Sequence, residues 1–309
     1  MAGFRLDKAL AELFPTYSRA RLQQWLREGQ VLIDTLPRRG KDKVQGGEQV
    51  QLIAQLEEQV TWQAQSLPLN LLYADEAIIV VNKPAGVVVH PGAGNPTATL
   101  VNALLHYAPE LAQLPRAGII HRLDKDTSGV LAVARSLPAH THLVTQLQHH
   151  QFKREYQAVV TGVLVAGSTV DAPIGRHPRH RTHMAVVTNG KPAVTHYRVM
   201  QRYRAHTHIR VQLETGRTHQ IRVHLAHQHY PLVGDKVYGG RLHLPAGSSE
   251  SLKQALRTFP RQALHAQTLG LLHPQTGEWM QWTAALPPDM QALLSELEQD
   301  QLNHPTISK

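Results

Sequence analysis

Seven short β-type runs follow one another between residues 71 and 273: LLYADE, AIIVVNKPAG, GVLAVA, EYQAVVTG, AVTHYRVM, HTHIRVQLET and ALHAQTLGLLH. Two helical patterns interrupt them, near residues 97 to 107 and 137 to 150. A doubly wound fold needs a crossover of about a dozen residues, usually a helix, at every step between parallel strands. This chain does not supply them, so the expected fold class is α+β with a mainly antiparallel sheet.

The first 60 residues read differently. RLDKALAELF places Leu6, Leu10 and Leu13 at helical spacing, and Ser18 can cap a second helix that carries Leu22, Trp25 and Leu26. Arg19, Arg21 and Arg27 are left for its outer face. Strand-like VLID and GGEQVQLI follow, separated by the basic loop Pro37-Arg38-Arg39-Gly40-Lys41. So small a unit buries little apolar surface and depends on a larger body. The predicted organisation is a small αβ RNA-binding domain over 1–60, a linker over 61–70, a catalytic domain over 71–290 and a C-terminal tail over 291–309.

The net charge of +9 points to a polyanion as partner. Between Asp171 and Arg222, ten Lys and Arg residues stand against only Asp171 and Glu214, which reads as a phosphate-tracking surface. With no cysteine in the chain, disulfides, Cys-ligated zinc and thiolate attack on pyrimidines are excluded. Neither G-x-G-x-x-G nor G-x-x-x-x-G-K-[ST] is present, so no nucleotide cofactor is signalled. His219, His224 and His227 lack an obvious carboxylate third ligand. They read as solvated or phosphate-facing and not as a metal site. No apolar run reaches the ~18 residues of a membrane helix, and the N-terminus lacks a signal-peptide core. A soluble, cytoplasmic protein is expected.

The chemistry is placed at GIIHRLDKDTSG, residues 118 to 129, where an apolar run stops at His121, Arg122, Asp124, Lys125 and Asp126. Asp126 precedes Thr-Ser-Gly and is expected to accept backbone N–H groups and close an Asx turn. Asp124 has no turn to cap and lies beside cations, so it is free to act as nucleophile or base. Taken alone, the cluster could equally be an ion pair tying two strands together.

HRLDKDTSG and LETGRTHQIRVHLAH, together with NKPAGVVVHPGAG, KREYQAVVTG and RQALHA, resemble the RluA-type family of RNA pseudouridine synthases, and RLDKALAELFPTYSRARLQQWLREGQV resembles the S4-like RNA-binding domain. Many S4-like hairpins turn on Asn-Gly, where this chain has Asp34-Thr35-Leu36-Pro37. The resemblance implies that Asp124 is the catalytic carboxylate, that Arg217 pairs with it, and that Tyr156 stacks on the target base and handles its C5 proton. It implies that Arg122 enters the RNA in place of a flipped uridine, with Lys125 beside it and Ile221 flooring the base pocket. His121 then orients the loop. Within the family, VVHPGAG and RQALHA most resemble the type that modifies a stem-loop of large-subunit ribosomal RNA. The chain is expected to need no cofactor or metal and to act as a monomer on RNA, either ribosomal RNA or a pre-ribosomal particle. Two other readings are an RNA-binding assembly factor without catalysis and an N-glycosidase.

Overall fold

The computed structural model describes residues 2–14, 17, 19–53, 62–92 and 94–304. It divides into two compact units, Met1–Thr61 and Trp62–Lys309.

In the first unit, helices α1 (Leu6–Leu13) and α2 (Arg19–Arg27) precede the strands β1 (Val31–Ile33), β2 (Leu36–Pro37) and β3 (Val50–Leu52), which pair antiparallel in the order β2-β1-β3. Leu6, Leu10, Leu22, Trp25, Leu26, Val31 and Ile33 close its core. Leu13, at the end of α1, is half exposed and not part of that core. Ser18 and the side chain of Arg21 lie outside the described residues. Asp34 and Thr35 both take positive φ, 50° and 67°, and join Ile33 to Leu36 in a two-residue turn without a glycine. The Asp34 carboxylate supports the turn by accepting the Gln49 N–H at 2.9 Å.

The second unit contains β4 (Leu71–Ala74), β5 (Ile78–Lys83), α3 (Leu100–Tyr107), β6 (Ser128–Ala134), α4 (Leu137–Gln148), β7 (Lys153–Thr161) and β8 (Ser168–Asp171). These are followed by β9 (Ile174–Arg176), β10 (Met184–Val186), β11 (Val194–Arg202), β12 (His206–Leu213), α5 (Gln220–His227), α6 (Glu250–Thr258), β13 (Leu264–Leu272), β14 (Trp279–Thr283) and α7 (Pro288–Asn303). Nine strands form one sheet in the order β4-β5-β6-β13-β7-β12-β11-β8, with β14 also on β13; β9 and β10 form a separate hairpin. Every pairing in the large sheet is antiparallel except β6 with β13. Along β5, Ile79 and Val81 join a core that includes α3 and α5, while Ile78 and Val80 join one that includes α4. Cover on both faces accounts for the unbroken apolar run at Ile78–Val81.

Two expected boundaries are corrected. The segment expected as a linker over 61–70 belongs, from Trp62 on, to the second unit. Trp62 and Leu69 pack on its core, Asn102 Nδ2 donates to the Gln63 carbonyl at 2.7 Å, and Gln65 N–H donates to the Asn102 carbonyl at 2.9 Å. The stretch from 291 is no tail either. Helix α7 buries Met290, Leu293 and Leu297 against Leu252, Leu256 and Phe259, and Arg204 clamps Asp300 at 2.8 and 3.1 Å. Its polar, acidic sequence hid a narrow apolar stripe.

The parallel contact of β6 with β13 sits directly below the loop that carries Asp124. Gly129, the second residue of β6, takes φ +123°, and a Cβ there would lie 2.1 Å from the Ala266 carbonyl oxygen. Gly129→Ala is therefore expected to destabilise the second unit by about 3 kcal/mol or more, through backbone displacement and left-handed strain together. Urea unfolding of the full chain measures it.

Candidate active site

Residues 119 to 128 cross from a bridge at Ile119 to the start of β6. Three anchors fix this loop. Leu123 is buried in the main core. Thr127 N–H donates to the Asp124 carbonyl at 3.1 Å and closes the turn. Lys83, at the end of β5 and fully buried, donates from Nζ to the carbonyls of Pro84 (2.8 Å), Val87 (2.8 Å) and Lys125 (3.0 Å). Three acceptors match the three N–H bonds of an ammonium group. Burial pushes the Lys83 pKa down to about 8, opposed by the negative charges of Asp126 and Asp124.

The Asp124 carboxylate is one-fifth exposed and stands in a cleft of about 620 Å³ formed entirely within the second unit. Arg222 Nη1 donates to its Oδ2 at 3.1 Å, and His219 Nε2 lies 3.9 Å from Oδ1. Arg222 is itself buried and grips Asp235 with Nε and Nη2 at 2.7 and 2.9 Å. Burial disfavours the guanidinium charge, but the hydrogen bonds and charges of Asp235 and Asp124 outweigh it and raise the Arg222 pKa. Burial likewise opposes the Asp235 charge, and Arg222 with the N–H groups of Tyr238 and Val237 holds its pKa below the ordinary value.

The expected pairing of Arg217 with Asp124 is not made. Arg217 lines the same cleft, but it precedes α5, and its Nε donates to the Pro192 carbonyl at 2.9 Å. Arg222, on the first turns of α5, points inward between Ile221 and Val223, which are both buried. A cation flanked by two apolar residues in QIRVH was the available signal. Asp235 and Lys83 also went unnoticed. Each is a lone charge in a loop-like or strand-end motif, and only three-dimensional packing reveals its burial.

Asp126 does not close an Asx turn. Among the described residues no backbone N–H reaches its carboxylate, the turn being closed by the Asp124 carbonyl, and its own carbonyl accepts from Arg261 Nη1 at 3.1 Å. His121 Nε2 accepts the Ala132 N–H at 3.1 Å, and burial, followed by the Arg154 charge, lowers its pKa to about 3. It is thus a neutral imidazole that ties the loop to β6. His224 is not phosphate-facing: Thr195 and the Ala172 carbonyl occupy both ring nitrogens in the interior.

Tyr156, on β7, is buried and lines the cleft, and its hydroxyl has no hydrogen-bond partner among the described residues. Burial raises its pKa, opposed by Arg154 and reinforced by Asp124. The phenol is protonated at neutral pH, which suits stacking and hydrogen-bond donation. Arg122 and Ile221 line the same cleft, Arg122 exposed and Ile221 buried, whereas Lys125 is exposed outside it. In the first unit Arg27 is exposed, but Arg19 is not an unengaged RNA contact. Its Nη2 donates to the buried Asp7 carboxylate at 2.8 Å, alongside Arg5 and Gln23.

Residues 77–227 match the RNA pseudouridylate synthase family and residues 4–50 match the S4 domain, which places an RNA-binding module ahead of an RNA-modifying domain. Over 303 residues the chain is 55% identical to ribosomal large subunit pseudouridine synthase D of Escherichia coli K12, covering 98% of this chain and 93% of that one. The protein of the same name from Pseudomonas aeruginosa is 55% identical over 300 residues, covering 97% and 94%. Among solved structures, human RNA pseudouridylate synthase domain containing 4 is similar with a TM-score of 0.59 and 27% identity, covering 74% of this chain and 93% of that one. The chain belongs to the RNA pseudouridine synthases and carries an S4 RNA-binding domain. Among the described residues no helix is long and apolar enough to cross a membrane.

The Lys83 environment has a consequence for stability. Its folded pKa of about 8 lies below the ordinary 10.5, so between those values the unfolded chain holds a proton that the folded chain has released. Stability from this group therefore rises with pH across that window, by on the order of 3 kcal/mol, and is flat below it. The stability difference between wild type and Lys83→Met, measured by denaturant unfolding from pH 7 to 10.5, is expected to grow in favour of wild type above pH 8.

Proposed function

We propose that this enzyme isomerises uridines of large-subunit ribosomal RNA, with Asp124 as the catalytic carboxylate and the target uridine flipped into the cleft. The observation that carries this reading is the Asp124 carboxylate itself. It is held by one N–H of a buried arginine, and its Oδ1 has no hydrogen-bond donor among the described residues, at the floor of a cleft large enough for a nucleotide. The relatives named above support the choice of RNA.

The reaction breaks the N1–C1′ bond, turns the base, joins C5 to C1′ and moves one proton from C5 to solvent while N1 gains one. It needs no oxidant and no group donor. A carboxylate that acts on the sugar, as nucleophile at C1′ or as base on the 2′ carbon, is sufficient. Tyr156 offers its ring for stacking and its hydroxyl for donation to a base carbonyl, and Ile221 contributes apolar wall. Extruding a base costs a few kcal/mol, and the exposed Arg122 at the cleft edge is placed to enter the vacated stack. Arg27 and the exposed part of Arg19 serve phosphate contacts. The residues assigned to the reaction all lie in the second unit, so the reading needs no second copy of the chain, and we propose a monomer acting in the cytoplasm.

Asp124→Asn is expected to lower pseudouridine formation below about one per cent, with RNA affinity changed less than about tenfold, because phosphate contacts dominate binding. Mapping pseudouridines in ribosomal RNA, with and without the variant, tests chemistry and substrate together. Arg217 and Arg222 should separate cleanly. Arg217→Ala weakens RNA binding and flattens its salt dependence by about one unit, with single-turnover rate at saturating RNA unchanged. Arg222→Ala does the reverse, losing rate by at least about 100-fold.

A further inference from the structure

Arg222 is shared unequally between two carboxylates. Its planar fork, Nε and Nη2, is taken by both oxygens of Asp235 at 2.7 and 2.9 Å, and only Nη1 is left for Asp124 at 3.1 Å. The Asp235 side chain is completely buried and is held from its other side, its Oδ1 also accepting the N–H groups of Val237 (2.9 Å) and Tyr238 (3.0 Å). Gly234 takes φ +72°, and a Cβ on it would meet the Arg261 carbonyl oxygen at 2.1 Å, so the turn that presents Asp235 is closely packed. The Tyr238 ring lies under the guanidinium, 4.9 Å from its carbon. Its hydroxyl accepts the Met184 N–H at 2.9 Å and meets His219 Nδ1 at 2.8 Å.

We infer that Asp235 is a positioning residue for the isomerisation: by occupying the fork of Arg222, it limits Asp124 to a single hydrogen bond and keeps Asp124 Oδ1 open toward the substrate sugar. The physical reason lies in guanidinium geometry. A carboxylate facing an unoccupied fork is gripped at both oxygens, the strongest arrangement an arginine offers. Such a grip on Asp124 would engage the oxygen that must reach the sugar and would lower its reactivity. Asp235 prevents this by being the better-placed acceptor, fixed by two backbone N–H groups. The inference rests on the reading of Asp124 as the catalytic carboxylate.

A double-mutant cycle between Asp235→Asn and Arg222→Lys tests it on the full-length enzyme, read as single-turnover pseudouridine formation at saturating RNA together with RNA affinity. Asp235→Asn keeps the volume and one acceptor. It is expected to lower the rate at least about tenfold in the wild-type background, with affinity changed less than about threefold. Lysine has no fork to occupy, so adding Asp235→Asn to Arg222→Lys should cost less than about threefold further. A purely structural role for Asp235 would cost the same factor in both backgrounds. That additive result, or loss of affinity with an unchanged rate, or no loss at all, overturns the inference. Should Asp235→Asn fail to fold by thermal melting, Asp235→Glu, which keeps the charge but displaces it by a methylene, enters the same cycle with the same readings. Activity retained by Asp124→Asn would instead remove the reading beneath it, so the two failures are distinguishable.

Discussion

A carboxylate has to be directed while most of it is withdrawn from water, and the site is arranged around that requirement. Asp124 meets it through a guanidinium that is itself buried and would be unfavourable without a second carboxylate. Burying an ion pair is costly unless the remaining hydrogen-bonding groups are also satisfied. Asp235, the N–H groups of Val237 and Tyr238, and the Tyr238 ring provide that satisfaction for Arg222. The loop from Leu232 to Gly239 is thus as much a part of the site as the HRLDKDTSG loop, although its closest carboxylate reaches Asp124 only through Arg222.

The backbone beneath Asp124 is held by a different kind of contact. Lys83 meets three carbonyls and no carboxylate, so its charge enters the loop as hydrogen bonds at fixed points. Gly129 lets β6 approach β13 in the one parallel pairing of the large sheet, and Arg261 reaches from the start of β13 to the Asp126 carbonyl. The two ends of the loop are therefore fixed by β5 and β13, the neighbours of β6 in the sheet. A one-residue slip of β6 would put a side chain in the place of Gly129, where a Cβ would lie 2.1 Å from the Ala266 carbonyl oxygen, so the register beneath the loop is pinned.

Much of this architecture was legible in the sequence because it is written in local periodicity. The strands around Ile78–Lys83, Ser128–Ala134, Lys153–Thr161, Val194–Arg202, His206–Leu213 and Leu264–Leu272 all fall on apolar runs of the right length. Strand β8, the β9–β10 hairpin and β14 are short or polar and escaped the pattern, while α7 hid only its packing, because its buried apolar stripe is Met290, Leu293 and Leu297. In the site, Asp124 stood out as a carboxylate among cations, but its partner did not. Arg217 and Arg222 are equivalent as residue types in GRTHQIR. The flanking Ile221 and Val223 favour Arg222, and the start of α5 at Gln220, with His219 in a left-handed conformation just before it, turns that arginine inward. Asp235 could not be found by proximity in sequence, since its contact to Arg222 closes through the fold.

The positive charge of residues 171–222 also divides into kinds that composition cannot separate. Arg204, Arg210 and Arg222 face carboxylates, so their charge is largely balanced within the fold. Arg176, Arg202 and Arg217 are held instead by backbone carbonyls, those of Arg181, of Leu164 and Val165, and of Pro192 respectively. A carbonyl orients a guanidinium without neutralising it. These arginines keep their full charge in a fixed direction, which suits phosphate contacts better than a flexible surface lysine does, because less side-chain freedom is lost when the polyanion arrives. The arginines bonded to carbonyls are therefore better suited to meet a polyanion than those bonded to carboxylates, whose charge is already balanced within the fold.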